Sequence, residues 1–121
     1  VLRHDESYGL TELDLEGQRL WVNRMEAQPG QIMRLRIPAR DVSVSRSAPV
    51  NTSILNSFET RLVEMEETEG SRVLLRLALG QQFLLARITR KSADQLALRP
   101  GDSLHAQVKS AALLNEEATS P

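Results

Sequence analysis

Apolar and polar residues alternate along most of the chain, and this period of two predicts β-strands rather than helices. In the first third of the chain the alternation predicts four short strands, at residues 13–15, 20–22, 33–37 and 42–44. The first two, joined by Gly17-Gln18, predict a hairpin. Residues 1–9 show no period, and we expect a poorly ordered lead-in there.

From residue 54 onward the alternation is clearer and the predicted strands are longer. The four apolar residues at alternate positions of 73–79 fall on one strand face, opposite Arg72 and Arg76. Glycine-containing turns bound this strand on both sides. The next segment, residues 83–88, is almost continuously apolar, so we expect a central strand there.

A short helix is predicted before the last strand. Ser92 offers an N-cap hydroxyl, and Gln95 stands three residues later as its capping-box partner. Pro100 ends this helix after about two turns. Beyond it, three alternating apolar residues predict the inner face of a closing strand: Leu104, Ala106 and Val108.

These elements predict an all-β fold with one short helix, built as OB-like β barrels from two related β units in tandem. The relation between the units is a weak repeat, in which Leu13-x-Leu-x-Gly-Gln resembles Leu77-x-Leu-Gly-Gln. The predicted division of the chain has four parts: a first OB-like unit at 1–46, a linker at 47–52, a second OB-like domain at 53–114 and a disordered tail at 115–121.

Composition narrows the function classes. The chain has 121 residues and a net charge of −1, which gives no field that would recruit nucleic acid or an anionic membrane. It has no cysteine, and no apolar run approaches the roughly 20 residues that span a bilayer. Few residues are aromatic, so the core is aliphatic, and a partner subunit often stabilises such a domain. The chain starts at Val1, which indicates a fragment of a longer polypeptide.

The segment Lys109-Ser110-Ala111 is the strongest candidate for chemistry. A tetrahedral dianion is best held by backbone N–H groups, hydroxyls and one cation, and small residues let the backbone approach it. The structural alternative is a surface lysine beside a serine at a strand end. Residues 89–92 add a helix N-terminus that favours an anion, although Ser92 serves equally well as a plain helix cap. Ser53 and Asn56 open the second unit, where Asn56 is equally suited to a turn.

Other chemistries find little support in the sequence. His4 and His105 have no second ligand at metal spacing, so no zinc site is predicted. The chain has no Ser-His-Asp or Cys-His arrangement and no Gly-rich phosphate loop, so we do not expect an enzyme. Arg34, Arg36 and Arg40 form a basic stripe, but the stacking aromatics that OB-type barrels use to bind single-stranded nucleic acid are missing.

Seven short segments, in one order, resemble a known family. They cover roughly residues 8–114 and are Leu20-Trp21-Val22-Asn23, Leu35-Arg36-Ile37, Asp41-Val42-Ser43, Thr52-Ser53-Ile54-Leu55-Asn56, Leu85-Ala86-Arg87-Ile88-Thr89, Leu98-x-Pro100-Gly101 and Ala106-Gln107-Val108-Lys109-Ser110. Together they resemble the C-terminal accessory domain of the ATP-binding subunit of the molybdate ABC transporter. The part from about Thr52 to Leu114 resembles the Mop or TOBE domain of small molybdate-binding proteins.

The resemblance implies an OB-like barrel that binds molybdate or tungstate at subunit interfaces and needs no other cofactor. It implies ligand contacts at eight positions: Ser53, Asn56, Thr89, Arg90, Ser92, Lys109, Ser110 and Ala111. The family's opening motif commonly reads Ser-x-Arg-Asn, and Leu55 stands here in place of the arginine. This replacement removes a cation with up to five hydrogen-bond donors.

The function implied by the resemblance is regulation and dimerisation in a molybdate importer. Two copies would self-associate, and the parent chain would join the permease subunits as a peripheral component on the cytoplasmic side of the inner membrane. The transporter's nucleotide-binding motifs are absent, so ATP hydrolysis is not expected. The main alternative is a purely structural dimerisation domain that binds no oxyanion, which Leu55 favours. A storage protein fits less well because the first unit is long, and a nucleic-acid-binding OB module has the least support.

Overall fold

Ten β-strands, one α-helix and one 3-10 turn make up the part of the chain that the structure describes. The structure is a computed structural model, and it describes residues 1–109 and the backbone of residues 114–117. The elements in order are β1 Arg3–Asp5, β2 Leu10–Leu15, β3 Gln18–Asn23, β4 Met33–Arg36, the 3-10 turn Ala39–Asp41, β5 Val42–Ser45, β6 Asn56–Thr68, β7 Arg72–Leu79, β8 Gln82–Thr89, α1 Arg90–Leu96, β9 Ser103–Val108 and β10 Leu114–Glu117.

Five strands form one antiparallel sheet in the order β5-β9-β6-β7-β8. Its two outer strands, β5 and β8, approach each other, so the sheet is curled in the manner of a barrel. The helix α1 follows β8 directly. This arrangement confirms the prediction of an all-β, OB-like fold with one short helix.

Strand β8 lies at an edge of this sheet, so the prediction of a central strand at residues 83–88 is wrong. Leu84 and Ala86 face the core and are buried. Phe83 and Leu85 point to the other side, where they are 53% and 42% exposed. The continuous apolar run therefore combines an inner face that packs the core with an outer face that remains accessible.

The first strands form a separate sheet in the order β1-β2-β3. The hairpin predicted at residues 13–22 is confirmed as β2 and β3, which are joined by Glu16-Gly17 with φ values of 50° and 84°. Strand β1 lies in the segment that was expected to be poorly ordered. It is held by pairing with β2 and by His4, whose ring nitrogens contact Thr11 Oγ1 at 2.7 Å and the Ala27 carbonyl at 2.6 Å.

Strand β10 pairs with β4 in a two-stranded sheet, with Glu116 opposite Arg34 in the register. The sequence predicted a disordered tail at 115–121, whereas the structure places residues 115–117 in this strand. The physical reason is that β4 has backbone N–H and C=O groups with which an extended segment can form hydrogen bonds. Residues 110–113 and 118–121 lie outside the described part of the chain.

One hydrophobic core is shared by the two predicted units. Leu13 and Leu20 belong to the same buried cluster as Phe58 and Leu62. Strand β5 also crosses the predicted division, since it comes before residue 47 but pairs with β9. The division of the chain at 47–52 stays a prediction about sequence organisation.

The predicted inner faces of β7 and β9 are confirmed. The four alternate apolar residues of β7 are at most 3% exposed, and those of β9 at most 1%. In β6 a β-bulge between Leu62 and Glu64 adds one residue, Val63, to the strand. Because of this bulge, Leu62 faces the core while Arg61 and Glu64 are both exposed.

The helix begins three residues before the position expected from a Ser92 N-cap. Thr89, not Ser92, is the N-cap, and its hydroxyl accepts a hydrogen bond from the Ser92 backbone N–H at 3.1 Å. The helix ends at Leu96, where Ala97 adopts a left-handed conformation before Pro100 is reached. The length of seven residues agrees with the predicted two turns.

Candidate functional site

Three of the predicted ligand residues lie at or next to neighbouring strand ends of the curled sheet. Asn56 begins β6 and pairs with Val108 at the end of β9, so Ser53 and Lys109 flank the same pair of strand ends. The Ser53 and Lys109 side chains are exposed, whereas Asn56 is fully buried. We call the two exposed residues, Ser53 and Lys109, the strand-end group.

The amide of Asn56 is engaged by the backbone of the first unit. Its Oδ1 accepts a hydrogen bond from the Trp21 N–H at 2.7 Å, and its Nδ2 donates to the Trp21 carbonyl at 2.8 Å. The Asn56 side chain thus forms with Trp21 the pair of hydrogen bonds that a neighbouring strand would otherwise form with β3. As a ligand contact Asn56 stays a prediction, while its link between β6 and β3 is visible in the structure.

Gln18 makes the reciprocal contact from β3 to β6. Its Oε1 accepts from the Glu59 N–H at 2.9 Å, and its Nε2 donates to the Glu59 carbonyl at 3.1 Å. Gln18 and Trp21 are three residues apart on β3, and Asn56 and Glu59 are three residues apart on β6. The Asn56 side chain reaches from β6 to β3, and the Gln18 side chain reaches from β3 to β6. We call the contacts of Asn56 with Trp21 and of Gln18 with Glu59 the amide seam, because they join the first unit to the long strand of the second.

The residues predicted at the start of the helix form a second group, Thr89, Arg90 and Ser92, which we call the helix-start group. The Thr89 hydroxyl lies 2.9 Å from Ser92 Oγ as well as capping the helix. Arg90 is exposed and lies near two carboxylates, at 3.7 Å from Glu67 and 4.0 Å from Asp94. The cation predicted for the ligand is therefore already partly compensated within the chain.

Strand β5 lies between the strand-end group and the helix-start group. On one side it pairs with β9, and on the other its residues Ser43 and Val44 line a cavity of about 290 Å³ together with Ile88, Ser92, Gln95 and Leu96. Within residues 1–109 no hydrogen bond or ion pair joins the two groups. The cavity adds the polar side chains of Ser43 and Gln95, and the alternation of valine and serine in β5 was the sequence signal for an accessible Ser43.

Arg46, in the segment leading out of β5, fixes the other end of the helix. Its guanidinium donates to the carbonyls of Leu96 and Ala97 at 2.7 and 2.8 Å and to Asp102 Oδ2 at 2.9 Å. The Arg99 backbone N–H and then the Arg46 guanidinium lower the pKa of Asp102 below its ordinary value of 3.8. These contacts hold α1 against the strand that separates the two groups.

The remaining predicted positions add one exposed apolar residue and two undescribed ones. Leu55, at the place of the family's arginine, is 58% exposed beside Ser53. Ser110 and Ala111 lie outside the described residues. Among the residues that are described, no cluster of His, Cys, Asp and Glu is suited to a metal ion. None of the described helices is long and apolar enough to cross a membrane.

Comparison with known proteins identifies relatives in molybdenum transport. The Molybdenum import ATP-binding protein ModC of Aromatoleum aromaticum is 43% identical over 114 residues, which are 94% of this chain and 30% of that protein. ModC of Yersinia pestis bv. Antiqua is 39% identical over 121 residues, all of this chain and 33% of that protein. ModC of Rhodopseudomonas palustris is 47% identical over 117 residues, or 93% and 31%. The chain spans about a third of the length of these relatives.

A solved structure supports the fold. The cytoplasmic molybdate-binding protein ModG, determined with molybdate bound, superposes with a TM-score of 0.75 over 84% of this chain and 78% of that chain. The sequence identity is 18%, so this likeness concerns the fold alone.

The family itself is identified by its sequence profile. The TOBE domain profile matches residues 52–114. The match is to a domain and not to a catalytic unit, in agreement with the expectation that this chain is not itself an enzyme. The chain belongs to the TOBE domain family.

Proposed function

We propose that this chain is a regulatory and self-association domain of the ATP-binding subunit of a molybdate importer, and that it binds molybdate or tungstate where two copies meet. The observation that carries the proposal is the TOBE match at 52–114 within relatives named as molybdenum import ATP-binding proteins. The parent chain then partners the permease subunits and lies at the cytoplasmic side of the inner membrane as a peripheral component.

The placement of the polar residues supports a ligand shared between copies. The strand-end group supplies the Ser53 hydroxyl and the Lys109 ammonium, and the helix-start group supplies hydroxyls and Arg90. Strand β5 lies between these groups within one copy, and the proposal is that a small anion receives its contacts from two copies. Each charge-assisted hydrogen bond contributes about 1.5–3 kcal/mol, and several together reach micromolar affinity, about −8 kcal/mol.

Regulation follows if the anion binds one arrangement of the two copies better than another. A ligand shifts a conformational equilibrium only by its difference in affinity for the two states. Molybdate held between two accessory domains would then favour one arrangement of the attached ATPase units. In this way the cytoplasmic oxyanion concentration would feed back on import.

The first test is isothermal titration of the chain with molybdate, with sulfate as the control anion and the oligomeric state measured at the same protein concentration. Saturable heat with molybdate and none with sulfate is the expected result. Absence of heat and of any thermal shift with a folded protein rejects the oxyanion part of the proposal.

A pair of variants assigns the anion to the strand-end group. Lys109→Ala should abolish molybdate binding and leave self-association unchanged, because Lys109 is an exposed cation at the proposed site. Arg19→Ala removes the same charge from an exposed position on β3 and should leave molybdate binding intact. Equal losses in both variants would point to a general charge effect.

The second candidate is a purely structural self-association domain without an oxyanion. Two observations favour it: Leu55 presents an exposed apolar side chain where a cation is expected, and the Asn56 amide is already bonded to Trp21. Self-association with no molybdate binding would select this candidate.

A further inference from the structure

The outer face of strands β7 and β8 carries an apolar patch. Phe83 and Leu85 are exposed on β8, and Ala78 and Leu74 lie half-buried beside them on β7. Ala78 is the cross-strand partner of Phe83, so these side chains are fixed on regular strands. The most exposed apolar residues elsewhere in the described chain stand in turns or loops instead: Tyr8, Ile32, Val50 and Leu55.

The patch is bordered by charges in a regular order. The strand register gives three rows across β8, β7 and β6, which together we call the outer face: Phe83-Ala78-Arg61, Leu85-Arg76-Glu64 and Arg87-Leu74-Glu66. The first row ends in a positive charge on β6 and the third row ends in a negative charge. The middle row compensates itself, since Arg76 lies 3.7 Å from Glu64.

We propose that the outer face binds a second copy of this chain. Two copies packed face to face about a two-fold axis through the middle row, at right angles to the strands, bring the first row of one onto the third row of the other. Arg61 then faces Glu66 of the second copy, and Phe83 faces Arg87 of the second copy. Along the axis Leu85, Arg76 and Glu64 each meet their own equivalents, as an isologous contact requires, and the charges of Arg76 and Glu64 are compensated within each copy.

Contacts within one copy hold part of the outer face in a fixed arrangement around Arg76. Its guanidinium lies over the Phe83 ring, 3.9 Å from the ring centroid, and it is also ion-paired to Glu64. Both side chains are therefore held in place before a partner arrives, which lowers the entropy lost on association. An exposed apolar patch with a complementary charged rim is the usual composition of a protein contact surface.

This inference rests on the self-association part of the proposed function but not on its ligand. The outer face does not include the strand-end group, since Ser53 precedes β6 and Lys109 follows β9. Contact through the outer face is therefore independent of molybdate, and any anion-bridged contact is a second one.

Sedimentation of the chain without molybdate tests the surface. Leu85→Glu places two carboxylates face to face at the axis and should raise the dimer dissociation constant by about tenfold or more. Val50→Glu, at an apolar residue that is 79% exposed in a loop, is the matched control and should change nothing. Both positions are accessible, and circular dichroism of each variant verifies that the fold is kept.

Charge exchange makes the test specific to the proposed pairing. Arg61→Glu and Glu66→Arg should each weaken self-association severalfold, because each brings like charges together. The double variant should restore it. The outer-face proposal is rejected if Leu85→Glu leaves the dimer dissociation constant unchanged, or if the dimer forms only with molybdate. Either result would still be compatible with self-association through another surface. If the chain is monomeric at all concentrations, both the outer-face contact and the proposed self-association are rejected. The molybdate titration still tests ligand binding separately.

Discussion

The amide seam and the strand-end group put two polar residues of one short motif, Asn56 and Ser53, to opposite uses. Ser53 is exposed, whereas Asn56, three residues later, is fully buried with both amide atoms bonded to Trp21. A buried polar group must find partners within the protein, so its loss lowers stability. An exposed group keeps its hydrogen-bonding capacity for a ligand. Burial therefore separates residues that hold the fold from residues that are free to bind.

The largest expected effect comes from Asn56→Ala. The substitution leaves the Trp21 N–H and carbonyl without their partner and opens a small space in the core. We expect the free energy of unfolding to fall by about 3 kcal/mol, measured by urea denaturation at pH 7.

Ser53→Ala is the control within the same motif. It removes an exposed hydroxyl and should change the free energy of unfolding by less than about 0.5 kcal/mol. The distinction between a structural role for Asn56 and a binding role for Ser53 is contradicted if Asn56→Ala and Ser53→Ala are equally stable. It is also contradicted if Asn56→Ala abolishes molybdate binding without any loss of stability.

Gly80→Ala tests the contact between the turn of the β2–β3 hairpin and the turn of the β7–β8 hairpin. Gly80 has φ +59°, and a Cβ there would lie 2.8 Å from Glu16 Cβ, in the turn of the β2–β3 hairpin. We expect a loss of about 2 kcal/mol in the free energy of unfolding, from the left-handed conformation and the collision together.

Two further variants isolate the collision. Gly70→Ala has a comparable φ of +75° with open space around it, so it should cost about 1 kcal/mol. Adding Glu16→Gly to Gly80→Ala removes the opposing Cβ and should recover part of the loss. If Gly70→Ala and Gly80→Ala cost the same, the two hairpin turns do not press on each other.

The sequence predicted the fold well because the information was local. The alternation in β7 and β9 predicted their buried faces, and the glycine turns predicted the hairpins. The errors came where tertiary contacts decide. The apolar run at 83–88 looks like a central strand, but its outer residues remain accessible at a sheet edge. Strand β1 has no period of its own and depends on His4 and on its pairing with β2.

The candidate site was predictable only in part. Spacing and resemblance led to Ser53 and Lys109, which the structure places at neighbouring strand ends. The engagement of Asn56 by Trp21 was not readable, because its partner lies 35 residues away and is a backbone group. The reciprocal contact of Gln18 with Glu59 spans 41 residues for the same reason.

Leu55→Arg tests whether an added cation next to the exposed strand-end group strengthens ligand binding. Leu55 is exposed next to Ser53, so an arginine there adds a cation without disturbing the core. We expect about tenfold tighter molybdate binding by isothermal titration, and no change in the free energy of unfolding. Leu55→Gln, which is long and polar but uncharged, is the control. An equal gain with glutamine would show that charge is not the missing element.

The smallest effect is expected at Asp102, which lies outside both regions and connects Arg46 to the helix end. Its pKa is lowered by the Arg99 N–H and by Arg46. The ionised form is therefore favoured by folding, and the contribution to stability is present above the ordinary pKa of 3.8. It is lost as the pH falls below that value, through the lower pKa of the folded state. Asp102→Asn should be slightly less stable than the parent at pH 7.

The pH dependence distinguishes this contact from ordinary packing. The difference in unfolding free energy between the parent and Asp102→Asn should narrow as the pH is lowered from 5 toward about 2, followed by urea denaturation at each pH. The effect of Asn56→Ala involves no ionisable side chain, so it should persist over the same range. A difference at Asp102 that stays constant with pH would mean that its carboxylate charge contributes nothing, and that only its hydrogen bonds to Arg99 and Arg46 hold the helix end in place.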